Sequence, residues 1–273
     1  MQRKINSFDK TKINYNISRH SKEFLIFIHG AGGDLSAWNK ERTYFHRKGI
    51  STLAIDLRGH GKSERPNNFE DYQLKKFARD INEIIKKEKI NKFIVVGHSF
   101  GGVITIKFHE LFPNKSKAYI LIGTTYKSPK ALKTLFRQTR FTNLINKALS
   151  KKGSKKGSHV DFNKFAGTKD YSPRRILSDI THTSFKSWFF TYENLSNFNL
   201  TKALRRIKQP TLIIEGEKDS IFKVPVAKRI HKLIKHSKLD IIPKENHIIV
   251  INNPTAIKKE ISEFIKKQKF PIH

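Results

Sequence analysis

The run Phe93-Ile94-Val95-Val96-Gly97-His98-Ser99-Phe100-Gly101-Gly102 passes from unbroken apolar residues to a serine set between glycines. Phe93 to Val96 show no alternation and include two β-branched valines, the composition of a strand buried on both faces of a parallel sheet. Val103, Ile104, Ile106 and Phe108 continue as a helix that Pro113 stops. A strand driven straight into a helix must turn so tightly that Ser99 occupies a strained backbone region, and glycines at 97 and 101 leave room for the chain to pass. Ser99 is thereby pushed out at the strand's carboxyl end, beside a helix N-terminus whose free N–H groups favour a developing negative charge.

Outward from this turn, apolar runs alternate with helical spacing. Lys4 to Phe8 and Lys12 to Ser18 alternate polar and apolar residues around Asp9-Lys10-Thr11, which predicts an antiparallel hairpin at a sheet edge. Phe24 to Ile28, Ser51 to Ile55, Tyr119 to Ile122, Thr211 to Ile214 and Leu239 to Ile242 read as further strands. Leu74, Phe77, Ala78, Ile81, Ile84 and Ile85 share one helical face, and Val226 to Ile234 and Ala256 to Ile265 have helical spacing behind Pro225 and Pro254. Strands alternating with helices imply an α/β protein: a mostly parallel twisted sheet with helices on both faces. Tyr126 to about Leu200 breaks the rhythm and reads as a helical insertion, which divides the chain into 1–125, 126–200 and 201–273.

The chain has 273 residues, enough for one large domain with an insertion. It has no cysteine, so disulfides and thiolate metal sites are excluded. The first residues lack the apolar stretch of a signal peptide, and the Phe24–Ile28 run is too short to span a bilayer; a soluble, cytoplasmic protein is expected. The formal charge is +32, from 55 Lys and Arg against 23 Asp and Glu, which predicts attraction to polyanions. Tyr126 to Val160 concentrates it, with ten Lys or Arg and no acid.

The Gly97-His98-Ser99-Phe100-Gly101 turn is a G-x-S-x-G nucleophile elbow, and here the sequence resembles the α/β-hydrolase family. The resemblance extends to His29-Gly30-Ala31, to Asp56-Leu57-Arg58-Gly59-His60-Gly61-Lys62-Ser63, which is similar to the family's D-x-R-G-x-G-x-S loop, and to the order of acid and histidine downstream. It implies an α/β-hydrolase fold whose 126–200 insertion is a helical cap over the active site. Gly59-His60-Gly61-Lys62-Ser63 also imitates the end of a phosphate loop, but Asp56 stands at the leading glycine position and Pro66-Asn67-Asn68 opposes the helix that must follow.

A serine hydroxyl needs a base within reach, itself oriented by a third group. His247, in the loop after the last strand, falls at the sheet's carboxyl edge over Ser99. The family order then requires an acid between them, and Asp219 matches its G-x-x-D position, with Glu217 and Glu245 as competitors. Oxyanion donors are expected from the backbone N–H of Phe100 and, by the resemblance, of Ala31. His29 and His98 read as loop-shaping residues, and Trp188 to Tyr192 as cap core rather than a base-stacking platform. No histidine and carboxylate cluster has metal-ligand spacing, so neither metal nor cofactor is expected.

The resemblance implies a serine hydrolase that cleaves carboxylic esters through an acyl-enzyme, its partner a small-molecule ester. A monoacylglycerol or lysophospholipid lipase, a proline-iminopeptidase-like hydrolase and a cofactor-free haloperoxidase stay open beside it, as does oligomeric state. The rival of another class is a non-catalytic basic binding protein on a hydrolase scaffold. Leu132, Leu135, Phe136 and Thr139, then Phe141, Leu144, Ile145 and Ala148, fall at helical spacings among Lys130, Lys133, Arg137, Arg140 and Lys147, with Lys151, Lys152, Lys155 and Lys156 beyond. Either this apolar face packs on the core, or the cap docks on an anionic membrane; nucleic acid is the less expected partner.

Overall fold

In the computed structural model the elbow strand β5 (Lys92–His98) sits inside an eight-stranded sheet with β1 (Gln2–Asn6), β2 (Lys12–Ser18), β3 (Glu23–Ile28), β4 (Ser51–Ile55), β6 (Ala118–Ile122), β7 (Thr211–Gly216) and β8 (Ser237–Ile242), ordered β1-β2-β4-β3-β5-β6-β7-β8. The structure describes residues 1–136, 139–151 and 157–270, of which 139–141 by backbone alone. β1–β2 and β2–β4 pair antiparallel, and every other pair is parallel. The second strand of the edge hairpin lies where expected, and the first runs two residues earlier than expected, because Ser7 to Lys10 are consumed by the turn, closed by Ser7 N–H to the Thr11 carbonyl and Lys10 N–H to the Ser7 carbonyl, both 2.9 Å.

Helices cover both faces, which is why the central strands carry no polar alternation. Phe24, Ile26 and Ile28 of β3 join a core with α2 (Leu74–Lys87) and α3 (Phe100–Leu111), which takes in Phe77, Ile81, Val103 and Ile106. The intervening Leu25 and Phe27 join the opposite core, with Trp38, Phe45 of α1 (Asn39–Arg47) and Ile257 and Ile261 near the C-terminus. Because β3 to β8 run parallel, the loops after β3, β5, β7 and β8 all open at one sheet edge.

Between β6 and β7 lie α4 (Lys130–Leu135), α5 (Thr139–Ser150), α6 (Pro173–Thr183), α7 (Phe185–Leu195) and α8 (Thr201–Arg206). The ends of the 126–200 segment meet at a Lys127–Asn199 bridge, reinforced by Leu200 N–H to the Tyr126 carbonyl at 2.8 Å. Leu132, Phe136, Ile145 and Leu149 pack inward, whereas Leu135 and Leu144 are 69% and 68% exposed. The amphipathic stretch is thus two short helices that bury only part of the apolar set. Arg137, Lys152, Lys155 and Lys156 lie outside the described residues, as do the side chains of Thr139, Arg140 and Phe141. Phe190 of α7 is fully buried against Phe69 and Tyr72, and Phe189 against Phe136, so this aromatic group is largely interior. After β7 come α9 (Val224–Leu233), α10 (Ile249–Asn252) and α11 (Pro254–Lys267). No helix among the described residues is long and apolar enough to cross a membrane.

Candidate active site

Ser99 lies between β5 and α3 with φ 53° and ψ −117°, the strained conformation that the tight turn demands. Such a backbone costs about 1–3 kcal/mol. Its neighbours hold it there: Ser99 N–H donates to the Ile122 carbonyl at 2.9 Å, and the Thr124 hydroxyl to the Ser99 carbonyl at 2.7 Å. A side chain at Gly97 would strike the Gly101 carbonyl and the Thr105 hydroxyl, and one at Gly101 would strike the Ile28 carbonyl. Gly97 lets α3 sit against β5, and Gly101 lets it sit against β3.

The sheet edge brings Asp219, His247 and Ser99 into one hydrogen-bonded line. His247 Nδ1 lies 2.7 Å from Asp219 Oδ2, and His247 Nε2 lies 2.9 Å from Ser99 Oγ. Asp219 is fixed through its other oxygen, which accepts the N–H groups of Ile221 and Phe222, both at 2.7 Å. A carboxylate can only accept, so the Nδ1 nitrogen carries the proton and Nε2 presents a lone pair to the serine hydroxyl. Burial pushes the Asp219 carboxyl up, but the hydrogen bond from His247 and further bonds from Glu215 and Phe222 outweigh it and hold the group below the usual carboxylate range. Glu217 and Glu245 point elsewhere: Glu217 accepts Lys244 N–H and Glu245 accepts from the Asn253 amide.

Ala31 and Phe100 flank the serine. The loop after β3 touches it so closely that a Cβ on Gly30 would lie 3.2 Å from Ser99 Cβ. Neither the Ala31 nor the Phe100 amide donates a hydrogen bond among the described residues. Two unengaged N–H groups beside a hydroxyl suit a developing oxyanion. His29 Nε2 accepts Leu57 N–H at 3.1 Å, so its Nδ1 donates to the Gly30 carbonyl at 2.7 Å and shapes that loop. His98 Nε2 donates to the His247 carbonyl at 2.8 Å, and burial lowers its pKa to about 3. Both rings are neutral spacers.

The sequence did not single out Glu215, whose carboxyl burial and the nearby Asp219 charge push up to about 10, leaving it protonated at neutral pH. A signal existed, since it ends the buried apolar run of β7. Arg175 and Asp179 of α6, paired at 3.0 Å, were also missed; with Gly30, Ala31 and His98 they line a cavity of about 50 Å³. That cavity shares Ala37, Phe162, Val250 and Ile251 with an outer one of about 330 Å³ that reaches Lys40 and His159.

Asp34, Asp56 and His159, distant in sequence, place ligand atoms within 4.8 Å of one another, the one such group that could hold a cation among the described residues. Spacing along the chain does not reveal it. Its oxygens are already engaged: Asp56 accepts from Leu35 N–H, Lys62 N–H, the Asn14 amide and His159, and Asp34 from Ser36 N–H and Val160 N–H, with His182 2.9 Å away. A cation would have to displace these donors, so the group serves as a tie between the 126–200 segment and the loops after β3 and β4.

Comparison with known proteins places this geometry in context. The profile of the alpha/beta hydrolase fold family matches residues 23–254. A Bacillus subtilis protein assigned as a 2-succinyl-6-hydroxy-2,4-cyclohexadiene-1-carboxylate synthase is 23% identical over 90% of this chain and 91% of its own length. Epoxide hydrolase 1 of Caenorhabditis elegans is 23% identical over 94% of this chain and 69% of its own. Among solved structures, an esterase from Exiguobacterium antarcticum superposes with a TM-score of 0.77 at 20% identity, covering 97% of this chain and all of that one, which speaks for the fold.

Proposed function

The chain belongs to the alpha/beta hydrolase fold family, and on that premise we propose that it is a serine hydrolase cleaving carboxylic esters through an acyl-enzyme. The observation that carries this reading is the unbroken line from Asp219 Oδ2 to His247 at 2.7 Å and on to Ser99 Oγ at 2.9 Å. Ser99 Oγ attacks the ester carbonyl as His247 Nε2 takes its proton, and the oxyanion is received by the Ala31 and Phe100 N–H groups. Collapse expels the alcohol, which leaves with the proton from His247. Water activated by the same imidazole then attacks the acyl-serine and releases the acid. Residues 126–200 act as the cap on a core made of 1–125 and 201–273.

Epoxide opening, the activity named for one relative, is disfavoured by the hydroxyl at the elbow. Serine attack on an epoxide carbon would leave an ether, which this machinery cannot hydrolyse; attack on an ester leaves an ester, which it can. Labelling by a fluorophosphonate probe, followed by p-nitrophenyl esters of increasing chain length, tests the reading. Covalent labelling with turnover supports it, and an unlabelled, inert protein overturns it.

At the cap we propose an anionic bilayer as a second partner. Leu135 and Leu144 project into solvent close to exposed Lys130, Lys133 and Lys147, and exposed leucines serve lipid better than nucleic acid. Basic residues near an anionic surface contribute about 1 kcal/mol each, so three would give about 3 kcal/mol of salt-sensitive attraction. Co-sedimentation with phosphatidylserine-containing vesicles at low salt is expected, and lost when Leu135 and Leu144 are both changed to Ser. Equal pelleting with neutral vesicles, or none at low salt, makes the cap a plain lid.

A further inference from the structure

The strap between the 162–165 turn and α6 is laced to the histidine loop by more than packing. Gly167 N–H donates to Asn252 Oδ1 at 2.8 Å, and the Asn246 amide donates to the Thr168 carbonyl at 2.9 Å. Asp170 completes the lacing with its side chain, the residue being 5% exposed. Its Oδ1 accepts the backbone N–H of His247 at 2.8 Å. Its Oδ2 accepts both the N–H and the hydroxyl of Ser220, at 2.9 and 2.6 Å. Arg175, from α6, donates to its backbone carbonyl.

We propose that Asp170 is a positioning residue for the reaction, setting the distance between His247 and Asp219 from the cap side; this rests on the serine-hydrolase reading above. One planar carboxylate grips residue 247 with one oxygen and residue 220, the neighbour of Asp219, with the other. The spacing of two loops that come from different strand ends is thereby fixed by a single rigid group. The bonds to it are charge-assisted, and so stronger than neutral ones. Nothing else described bonds to both loops from the cap. The histidine and the acid consequently keep their alignment only while the strap is seated.

Asp170→Asn tests this. The amide offers one acceptor where two are needed, so an NH2 group must face either His247 N–H or Ser220. We expect kcat on p-nitrophenyl acetate to fall roughly a hundredfold, the cost of misplacing a catalytic group by about 1 Å, with KM changed by less than about twofold. In a His247→Ala background the same change should cost nothing further, because residues that act as a unit are not additive. Wild-type kcat in folded Asp170→Asn, or an equal further loss in the His247→Ala background, overturns the proposal. Should Asp170→Asn fail to fold, Ser220→Ala, which removes one of the three bonds, must lower kcat several-fold by the same non-additive pattern; wild-type kcat there also overturns it. Activity retained by Ser99→Ala would overturn the parent reading and this one together, whereas an inert Ser99→Ala beside a fully active Asp170→Asn overturns this one alone.

Discussion

Ser99→Ala is expected to leave a folded protein whose turnover of carboxylic esters is lower by about a million-fold, the loss seen when the attacking group of such a unit is removed. Among the described residues the hydroxyl forms one hydrogen bond, to His247 Nε2, so its removal takes away the nucleophile at the loss of that bond alone. Cβ remains, and with it the contact to the loop at Gly30. The strained backbone at φ 53° is held by the Ile122 carbonyl and the Thr124 hydroxyl, neither of which involves the serine side chain. The melting temperature should therefore stay within a few degrees while kcat collapses and fluorophosphonate labelling disappears. Turnover within tenfold of wild type would remove Ser99 from its role.

The elbow and the strands around it were legible because burial on both faces of a parallel sheet leaves an unmistakable residue pattern, as in Phe24 to Ile28 and Phe93 to Val96. Ser99 could be read from the turn that ends such a strand and His247 from the loop beyond the last strand, whereas Asp219 was picked out by the resemblance's order of acid and histidine; the structure brings the three within hydrogen-bond distance. Asp170 was not. It sits in an irregular strap, 50 residues from Ser220 and 77 from His247, and a lone carboxylate between Lys169 and Tyr171 carries no periodicity. The Asp34, Asp56 and His159 tie was hidden for the same reason, since His159 reaches Asp56 across 103 positions. In α4 and α5, helical spacing marked Leu135 and Leu144 as apolar-face residues, yet spacing cannot say whether a core lies opposite. The fold answers that by packing Leu132, Phe136 and Ile145 and leaving the other two outside.

Changing Asp219 to Asn should cost roughly ten-thousand-fold in kcat with little effect on KM, and the structure gives the reason atom by atom. Asp219 Oδ1 accepts two backbone N–H groups, from Ile221 and Phe222. In the variant that position must be taken by the amide oxygen, because an NH2 group there would face two donors. The amide NH2 is then forced toward His247 Nδ1, which must become an acceptor, so the imidazole proton moves to Nε2. A protonated Nε2 donates to Ser99 Oγ instead of accepting from it, and the base is lost although every heavy atom stays in place. Stability should fall only modestly, since the shape is conserved and the neighbouring Glu215 is already neutral. Steady-state kinetics beside thermal melts make the measurement, with Glu217→Gln and Glu245→Gln as controls whose carboxyls face Lys244 and Asn253 and whose kcat should match wild type. A nearly silent Asp219→Asn together with an inactive variant at 217 or 245 would show that another carboxylate orients the histidine.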